Sequence, residues 1–436
     1  MDGFGAGETF DFANNLNNAE LDAFFSPTSG VGFSWVRTGN AQDGNIPDLA
    51  TLQGAVARGA KIIMSLQSPP VAIKASGTWN HGTLGPDGNT CFSSNPSLAS
   101  NMTTWANDIV GILNTFNSNG LPIAALSVEN EPNIEINSYG ACEFTAAGLD
   151  SFVKTYLGPA LAASNFHPRL LLAEASGWFN PDYSTTCLND SACAQYVDTV
   201  ASHNYSSPNG VDGTNNGYCC ATATAYPLAA SKGKRLWMSE TNGGLILSNG
   251  SNCSGGTWCY DPSMADALVW AHQIHDYLTN SGVSFWQYWE MLYPNNLGYW
   301  SETAQVAQRF YAVGNWSRFV RPGWVRIGAT ASPASGIFIT AFKESSSGKF
   351  AIVAINQNSS PVNVDFSLSG FPSVTTVTPT LTSASVNLVD QVEANVPSGA
   401  FPYALPATSI VTFHGTASLS SSKPPAAPTN LTVTVH

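Results

Sequence analysis

Along most of the chain, short apolar runs alternate with longer stretches whose apolar residues recur at helical spacing. Gly32 to Thr38 and Ala60-Lys-Ile-Ile-Met-Ser65 read as strands. Between them, Pro47 to Arg58 reads as a helix that stops at Gly59, and Leu98 to Phe116 reads as another ended by Gly120. Further strands are predicted at Leu121 to Val128, Arg169 to Ala175, Asp198 to Tyr205, Arg235 to Glu240 and Ser284 to Glu290. Helices are predicted at Thr145 to Ala163, Met264 to Leu278 and Glu302 to Trp316. A strand followed repeatedly by a helix builds a parallel sheet with its helices outside, so residues 1–316 read as a parallel α/β barrel.

The rhythm changes at Arg321-Pro-Gly-Trp324. Beyond it, Gly336 to Phe342, Lys349 to Ile355, Val362 to Leu368 and Ser409 to Phe413 alternate with period two. That pattern predicts an antiparallel β-sandwich over residues 317–416. Ser420 to Pro428 is a Ser/Pro-rich linker, and Thr429 to Val435 reads as the opening of a truncated further module. Gly3-Phe-Gly5 starts a strand at once, so an export signal, and with it one strand, is expected to have been removed ahead of it.

Composition narrows the partners. Of 436 residues only 10% are charged while 11% are aromatic, with 12 Trp and 14 Tyr. Flat rings stack on the apolar faces of sugars, so this balance suits a neutral polysaccharide. A net charge of −13 argues against nucleic acid or an anionic membrane as partner, and no apolar run is long enough to span a bilayer. The 8 Cys lie in polar stretches, as in a secreted protein with disulfides. Cys187 with Cys193 and Cys253 with Cys259 would close small loops; Cys91 with Cys142 is the favoured third pair, leaving the adjacent Cys219 and Cys220. No paired Cys-x-x-Cys motifs stand at zinc-ligand spacing, so neither metal nor cofactor is expected. A monomer is expected.

Two carboxylates carry the chemistry. Glu131 follows an apolar strand in the context Asn130-Glu131-Pro132, and Glu240 ends a second strand, Arg235-Leu-Trp-Met-Ser-Glu240. In a parallel barrel the C-terminal strand ends converge on one rim, so the two can face each other across a substrate. A retaining glycosidase needs such a pair, roughly 5–5.5 Å apart, one as acid/base and one as nucleophile. Each could alternatively be an ordinary strand-end acid, but the two contexts together favour catalysis.

The motifs Gly3-Phe-Gly5, Ser68-Pro-Pro70, Ser127-Val-Glu-Asn-Glu-Pro132, His203-Asn-Tyr205, Tyr226-Pro-Leu-Ala229, Gly233 to Glu240 and Ser317 to Gly323 resemble glycoside hydrolase family 30, and within it the bacterial xylanases. The resemblance extends to about residue 415. It implies a (β/α)8 TIM barrel with a side β-sandwich, acid/base Glu131 on strand four, nucleophile Glu240 on strand seven and retention of configuration. The expected substrate is the β-1,4-linked backbone of xylan.

Roles for neighbours follow from chemistry. Glu131 is expected to have a raised pKa, with the charge of Glu240 as the cause. Arg37 is placed to hold Glu240 ionised and Tyr205 to donate to it. His203 is a rim residue or a satisfied core histidine. Asn130 could bind a sugar 2-hydroxyl, and Trp289 could be the sugar platform, with Trp286 on the opposite pleat as core.

Two departures from the family bear on substrate. The stretch Trp289-Glu-Met-Leu-Tyr293-Pro-Asn-Asn296 lacks the arginine that grips a glucuronosyl branch, and Glu290 would repel the branch carboxylate. Ala72 stands where a tryptophan usually follows Ser-Pro-Pro, so Trp79 or Trp178 would complete the innermost sugar site. Independence of glucuronosyl branches is therefore expected. Other family specificities, such as β-1,6-glucanase, β-1,6-galactanase or xylobiohydrolase, and a non-catalytic carbohydrate-binding scaffold are the alternatives.

Overall fold

The computed structural model describes residues 1–8, 15–84, 96–134, 136–205, 221–241, 262–293, 300–301, 306–368, 374–417 and 430–435. Eight parallel strands close into a barrel in sequence order: β1 (Gly3–Gly7), β2 (Trp35–Gly39), β3 (Lys61–Ser65), β4 (Ile123–Ser127), β5 (Arg169–Gly177), β6 (Thr199–Tyr205), β7 (Arg235–Glu240) and β8 (Phe285–Glu290). The barrel is a packed core: Trp35, Ile63, Ala125, Leu171, Ala201, Trp237 and Phe285 fill its centre. β1 contributes glycines there. At Gly7 a Cβ would lie 2.0 Å from the Trp289 carbonyl oxygen and 3.1 Å from its ring, so only glycine lets β8 bring Trp289 to the rim.

The floor of the barrel is tied through Asp2. Its carboxylate accepts from Arg169 and Arg235 at 2.6 Å, from Ser284 at 2.6 Å and from the Trp237 indole at 2.9 Å. These partners start β5, β7 and β8, so one acid staples the N-terminal strand ends. Burial opposes its charge, but the hydrogen bonds from Arg169, Ser284, Trp237 and Arg235 prevail and lower the carboxyl pKa to about 2.

The predicted helices form, and Asn18–Phe25 adds one between β1 and β2 that the sequence pattern does not predict. Leu49–Ala57 and Pro96–Ser118 cover β2 to β4. The predicted helix from Thr145 runs to Ala163 with a π turn at Val153–Leu157, and Thr145 caps it by accepting from the Gly148 amide. The last barrel helix begins at Gln308 rather than Glu302. Residues 302–305 lie outside the described ones.

The second unit is the expected sandwich, with one strand the local pattern did not place in it. Its sheet runs from Val386–Asp390 through Thr376–Ser383, Ser409–Thr416, Lys349–Asn356, Ile337–Lys343 and Val325–Ala329. Asn430–Val435 then pairs parallel with Val325–Ala329 and antiparallel with Val362–Ser367, which pairs in turn with Ala400–Leu405. The segment read as the start of a further module is thus a strand of this sandwich. It bridges the two halves of the sheet, burying Leu431 and Val433 on alternate positions while Thr432 and Thr434 point outward. The sheet packs on the barrel through Asn315, which donates to Thr382 at 2.8 Å and accepts from Thr412 at 3.0 Å, and through Trp316, which donates to Thr340 at 3.0 Å.

The predicted disulfide Cys187–Cys193 is formed, with Cα atoms 5.2 Å apart. Cys91, Cys219, Cys220, Cys253 and Cys259 lie outside the described residues, so the other pairings do too. Among the described residues no helix is long and apolar enough to cross a membrane.

Candidate active site

The C-terminal strand ends bring together most of the residues read from the sequence. Glu131 leaves β4 in a left-handed backbone conformation, φ 48°, which is costly for a side chain of this kind. Its amide is held by the Glu174 carbonyl at 3.0 Å, so the neighbouring strand fixes the bend. Its carboxylate accepts from His203 Nδ1 at 3.0 Å and from the Tyr139 hydroxyl. Glu240, at the end of β7, accepts from Arg37 at 2.5 Å and from the Tyr205 hydroxyl at 2.9 Å. Arg37 also donates to Asn130 Oδ1 at 2.6 Å and Ser65 at 2.7 Å, and its guanidinium lies 5.2 Å from the centre of the Trp289 ring. With Asn130 Oδ1 committed to Arg37, its amide nitrogen is the group left to donate to a sugar hydroxyl.

His203 is a joint of the site rather than an ordinary core residue. Fully buried, it places Nδ1 3.0 Å from Glu131 and 3.6 Å from Glu240, and Nε2 3.7 Å from Glu174. Burial works against its charge. The charge of Glu240 and hydrogen bonds with Glu131 and Glu174 outweigh it and raise the imidazole pKa from 6.5 to about 10. The consequence for Glu131 runs against the sequence-based expectation. Burial would raise it, but the hydrogen bond and charge of His203, the Tyr139 hydroxyl and Arg37 together hold it below the usual carboxylate value. The proton of this pair therefore rests on His203 when the site is empty.

Sequence reasoning missed two members. Glu174, in the apolar run of β5, is fully buried, accepts from Ser239 and lies 3.6 Å from Arg37. Its pKa is lowered, because His203 and Arg37 overcome the burial that would raise it. Tyr139 lies in the polar loop after Glu131, and burial with the charge of Glu131 pushes its hydroxyl far up. A buried acid inside a strand and an aromatic eight positions after the first glutamate are the only signals the sequence holds for them.

The remaining aromatics part company. Trp289 is half-buried beside Arg37, and Trp286 is core. Trp79 is half-buried over Gly140, where a Cβ would lie 2.2 Å from its indole nitrogen. It thereby braces the loop that carries Tyr139. The buried ammonium of Lys74 stitches the same two loops, donating to Ser68 at 2.8 Å, to the Trp79 carbonyl at 2.8 Å and to the Ala141 carbonyl at 2.6 Å. Trp178 is in the core, edge-on to Tyr277 at 4.7 Å, with its indole donating to the Thr224 carbonyl. That position removes it from the sugar sites proposed for it. Tyr293 lies on a short strand, Leu292–Tyr293, paired with Trp300–Ser301. The segment 294–299, which includes the end of the stretch lacking arginine, lies outside the described residues.

Side-chain donor atoms of Glu131, His203 and Glu240 all lie within 4.8 Å of one another, a spacing that could hold a metal ion. Arg37 already supplies a cation to Glu240 at 2.5 Å. The other such group, Asp150 with Cys187 and Cys193, has both sulfurs joined in the disulfide and offers no thiolate. Two acids this close, one backed by a proton-bearing histidine and the other by arginine and tyrosine, suit acid/base and nucleophilic work on one bond.

Comparison with known proteins agrees with this architecture. The family models for the glycosyl hydrolase family 30 TIM-barrel domain and β-sandwich domain match residues 59–241 and 323–413. Glucuronoxylanase XynC of Bacillus subtilis is 27% identical over 416 residues, covering 94% of this chain and 88% of that protein. A putative glucosylceramidase of Caenorhabditis elegans is 27% identical over 244 residues, 51% of this chain and 43% of that protein. Among solved structures, the family 30 subfamily 8 xylanase Xyn30A of Clostridium acetobutylicum superposes with a TM-score of 0.78 at 26% identity, covering 96% of each chain. The endo-β-1,6-glucanase BT3312 shares the fold, with a TM-score of 0.68 at 20% identity over 96% of this chain and 91% of that one. With both domain models matched in order onto the barrel and the sandwich, the chain belongs to glycosyl hydrolase family 30.

Proposed function

We propose that this glycoside hydrolase is a secreted, monomeric, retaining endo-β-1,4-xylanase whose cleavage does not require glucuronosyl branches. The observation that carries the mechanism is the closeness of the two acids: one oxygen of each lies within 4.8 Å of the other, with His203 between them. That spacing suits direct attack and leaves little room for the intervening water an inverting enzyme needs. Glu240, aligned by Arg37 and Tyr205, attacks the anomeric carbon as Glu131 gives its proton to the departing glycosidic oxygen. Glu131 then takes a proton from water, whose oxygen displaces Glu240 and restores the acid. Asn130 donates to the 2-hydroxyl, and Trp289 faces the sugar ring.

The choice of xylan rests on similarity to XynC and Xyn30A. Independence of branches rests on the absence of arginine between Trp289 and Asn296 and on Glu290 at the end of β8. Secretion is supported by the Cys187–Cys193 disulfide. The test is product analysis on xylan, on glucuronoxylan before and after enzymatic removal of its branches, and on β-1,6-glucan, with Glu240→Gln as control. The proposal expects similar activity on intact and stripped xylan, little on β-1,6-glucan and none from Glu240→Gln. Collapse of activity on the stripped polymer would refute the branch reading, and turnover by Glu240→Gln within tenfold of wild type would refute the nucleophile.

A further inference from the structure

Beyond β5 and β6 lies an aromatic pair that the mechanism above does not use. Phe179 and Tyr226 stack face to face, their centroids 3.9 Å apart and their planes 8° from parallel. Both are half-buried. Resting on the proposed action on a neutral polysaccharide, we propose that this pair is a sugar-stacking subsite on the leaving-group side of the cleaved bond.

Its position comes from backbone ties to the acid. Asn133, two residues after Glu131, donates to Ser176 Oγ at 2.9 Å and accepts from the Ser176 amide at 2.9 Å. Phe179 is three residues further, a reach of at most about 10 Å along the chain. Its amide donates to Ser202, the neighbour of His203. The pair therefore stands on the side of the site where Glu131 protonates the departing oxygen, opposite Trp289 and β8.

Its rigidity points to a use beyond filling space. Phe179 is held at φ 49°, a conformation a bulky side chain adopts only under constraint. Trp178, edge-on at 4.8 Å, and the Ser202 bond supply that constraint. Across the stack, the Tyr226 hydroxyl lies 3.0 and 2.9 Å from the two oxygens of Asp182 and 3.3 Å from Thr185. Two loops from different strands are thus locked together, and because the rings cover each other's inner faces, an outer face of the stack is what a sugar would meet. A ring held this way loses little entropy when a sugar lies on it, and the C–H face of a pyranose is its natural cover.

The experiment compares substrates that do and do not reach the pair. Phe179→Leu and Tyr226→Leu keep apolar volume but remove the flat face. On the oligosaccharide series of whichever β-linked polymer the wild type cleaves, xylo-oligosaccharides on the present reading, each should lower kcat/KM for long chains on the order of tenfold, mainly through KM. Hydrolysis of an activated aryl glycoside, whose leaving group ends at the first position, should stay within about twofold. Tyr226→Phe, which keeps the ring but removes the hydroxyl bonds to Asp182, should lose less on long chains than Tyr226→Leu, and an equal loss would overturn the role of the ring face. Equal losses on both substrates, or none on either, would overturn the subsite while leaving the catalytic pair standing. Should the leucine variants lose their fold, Tyr226→Trp enlarges the face: a lower KM for long chains supports the subsite and an unchanged KM overturns it. Release of the inverted anomer by the wild type would instead count against the retaining mechanism.

Discussion

Replacing His203 by glutamine should move the alkaline limb of the pH profile. The wild-type imidazole is raised from 6.5 to about 10 despite burial, because Glu240, Glu131 and Glu174 surround it. That rise is a net preference of the folded site for the charged imidazolium. The sign follows directly. Below pH 6.5 the stabilisation is fully present, and it is lost as pH rises through about 10. Meanwhile Glu131 is lowered, so the one proton the pair needs sits on His203 and reaches Glu131 along their 3.0 Å hydrogen bond. In wild type, kcat/KM should therefore hold well into alkaline pH. Glutamine can still donate to Glu131 but cannot store a proton. Glu131 must then keep its own, with burial and Glu240 raising its pKa and no imidazolium lowering it. The alkaline limb should fall to near neutrality, on the order of two units or more below wild type, so that at pH 9 the variant loses roughly 100-fold against its own maximum. The assay is kcat/KM on an oligosaccharide substrate from pH 5 to 9, with circular dichroism at each pH to confirm the fold. A variant limb superimposable on that of wild type would show that Glu131 titrates alone and that His203 stores nothing.

Three further outcomes are expected. Glu131→Ala should be rescued on an activated aryl glycoside by azide, because a good leaving group needs no acid and azide replaces the activated water; no rescue with an intact fold would count against Glu131. Asp2→Asn should weaken the barrel floor by about 2 kcal/mol at pH 7, since a carboxyl lowered from 3.8 to about 2 contributes stability above pH 3.8 that disappears as pH falls through 2; urea titrations at both extremes give the answer, and equal losses at pH 7 and pH 2 would contradict it. His275, buried beside His272 and Phe338 where the barrel meets the sandwich, is lowered to about 4 by burial, His272 and Arg326. Its neutral form should cost the fold about 3 kcal/mol as pH drops from 6.5 to 4, and His275→Gln should flatten that part of the melting-temperature profile.

What the sequence made legible is what depends on local pattern. Each barrel strand buries both faces or one, and each helix covers it with a stripe, so period and punctuation find them. The pair Glu131 and Glu240 is readable for the same reason, since strand ends in a barrel share a rim. Arg37 and Tyr205 follow, being the charged and hydroxyl-bearing residues that strand ends deliver there. In the sandwich, Thr376–Ser383 carries threonine at alternate positions and Pro379 within it, so its apolar signal is weak, yet it pairs with Ser409–Thr416. Nothing local says that Asn430–Val435 belongs between two strands about seventy and a hundred residues upstream. That pairing is decided by which edges the rest of the sheet leaves open.

The unforeseen Glu174 shows where alternation itself fails. In an undisturbed strand successive side chains point to opposite faces, and each residue of β5 would be assigned by counting. β5 does not allow the count. Its register against β6 shifts between Ala173 and Ala175 and again between Ala175 and Gly177, and Ala173 and Glu174 both have positive φ, 84° and 51°. The first inserts a residue in β5 that β6 does not match, and the second inserts one in β6 that restores the register by Gly177 and Tyr205. Counted evenly from Leu171, which faces the barrel centre, Glu174 would share the outward side of Leu170 and Leu172. With the bulge in place, Glu174 turns to His203 and Arg37, while Trp178 keeps the outward side of Leu170 and Leu172 and packs in the core against Tyr277. The same bend lets the Glu174 carbonyl accept from the Glu131 amide and hold the acid in its left-handed conformation. The backbone feature that hid Glu174 from the sequence is therefore the one that assembles the acid and its histidine on one side of the barrel mouth.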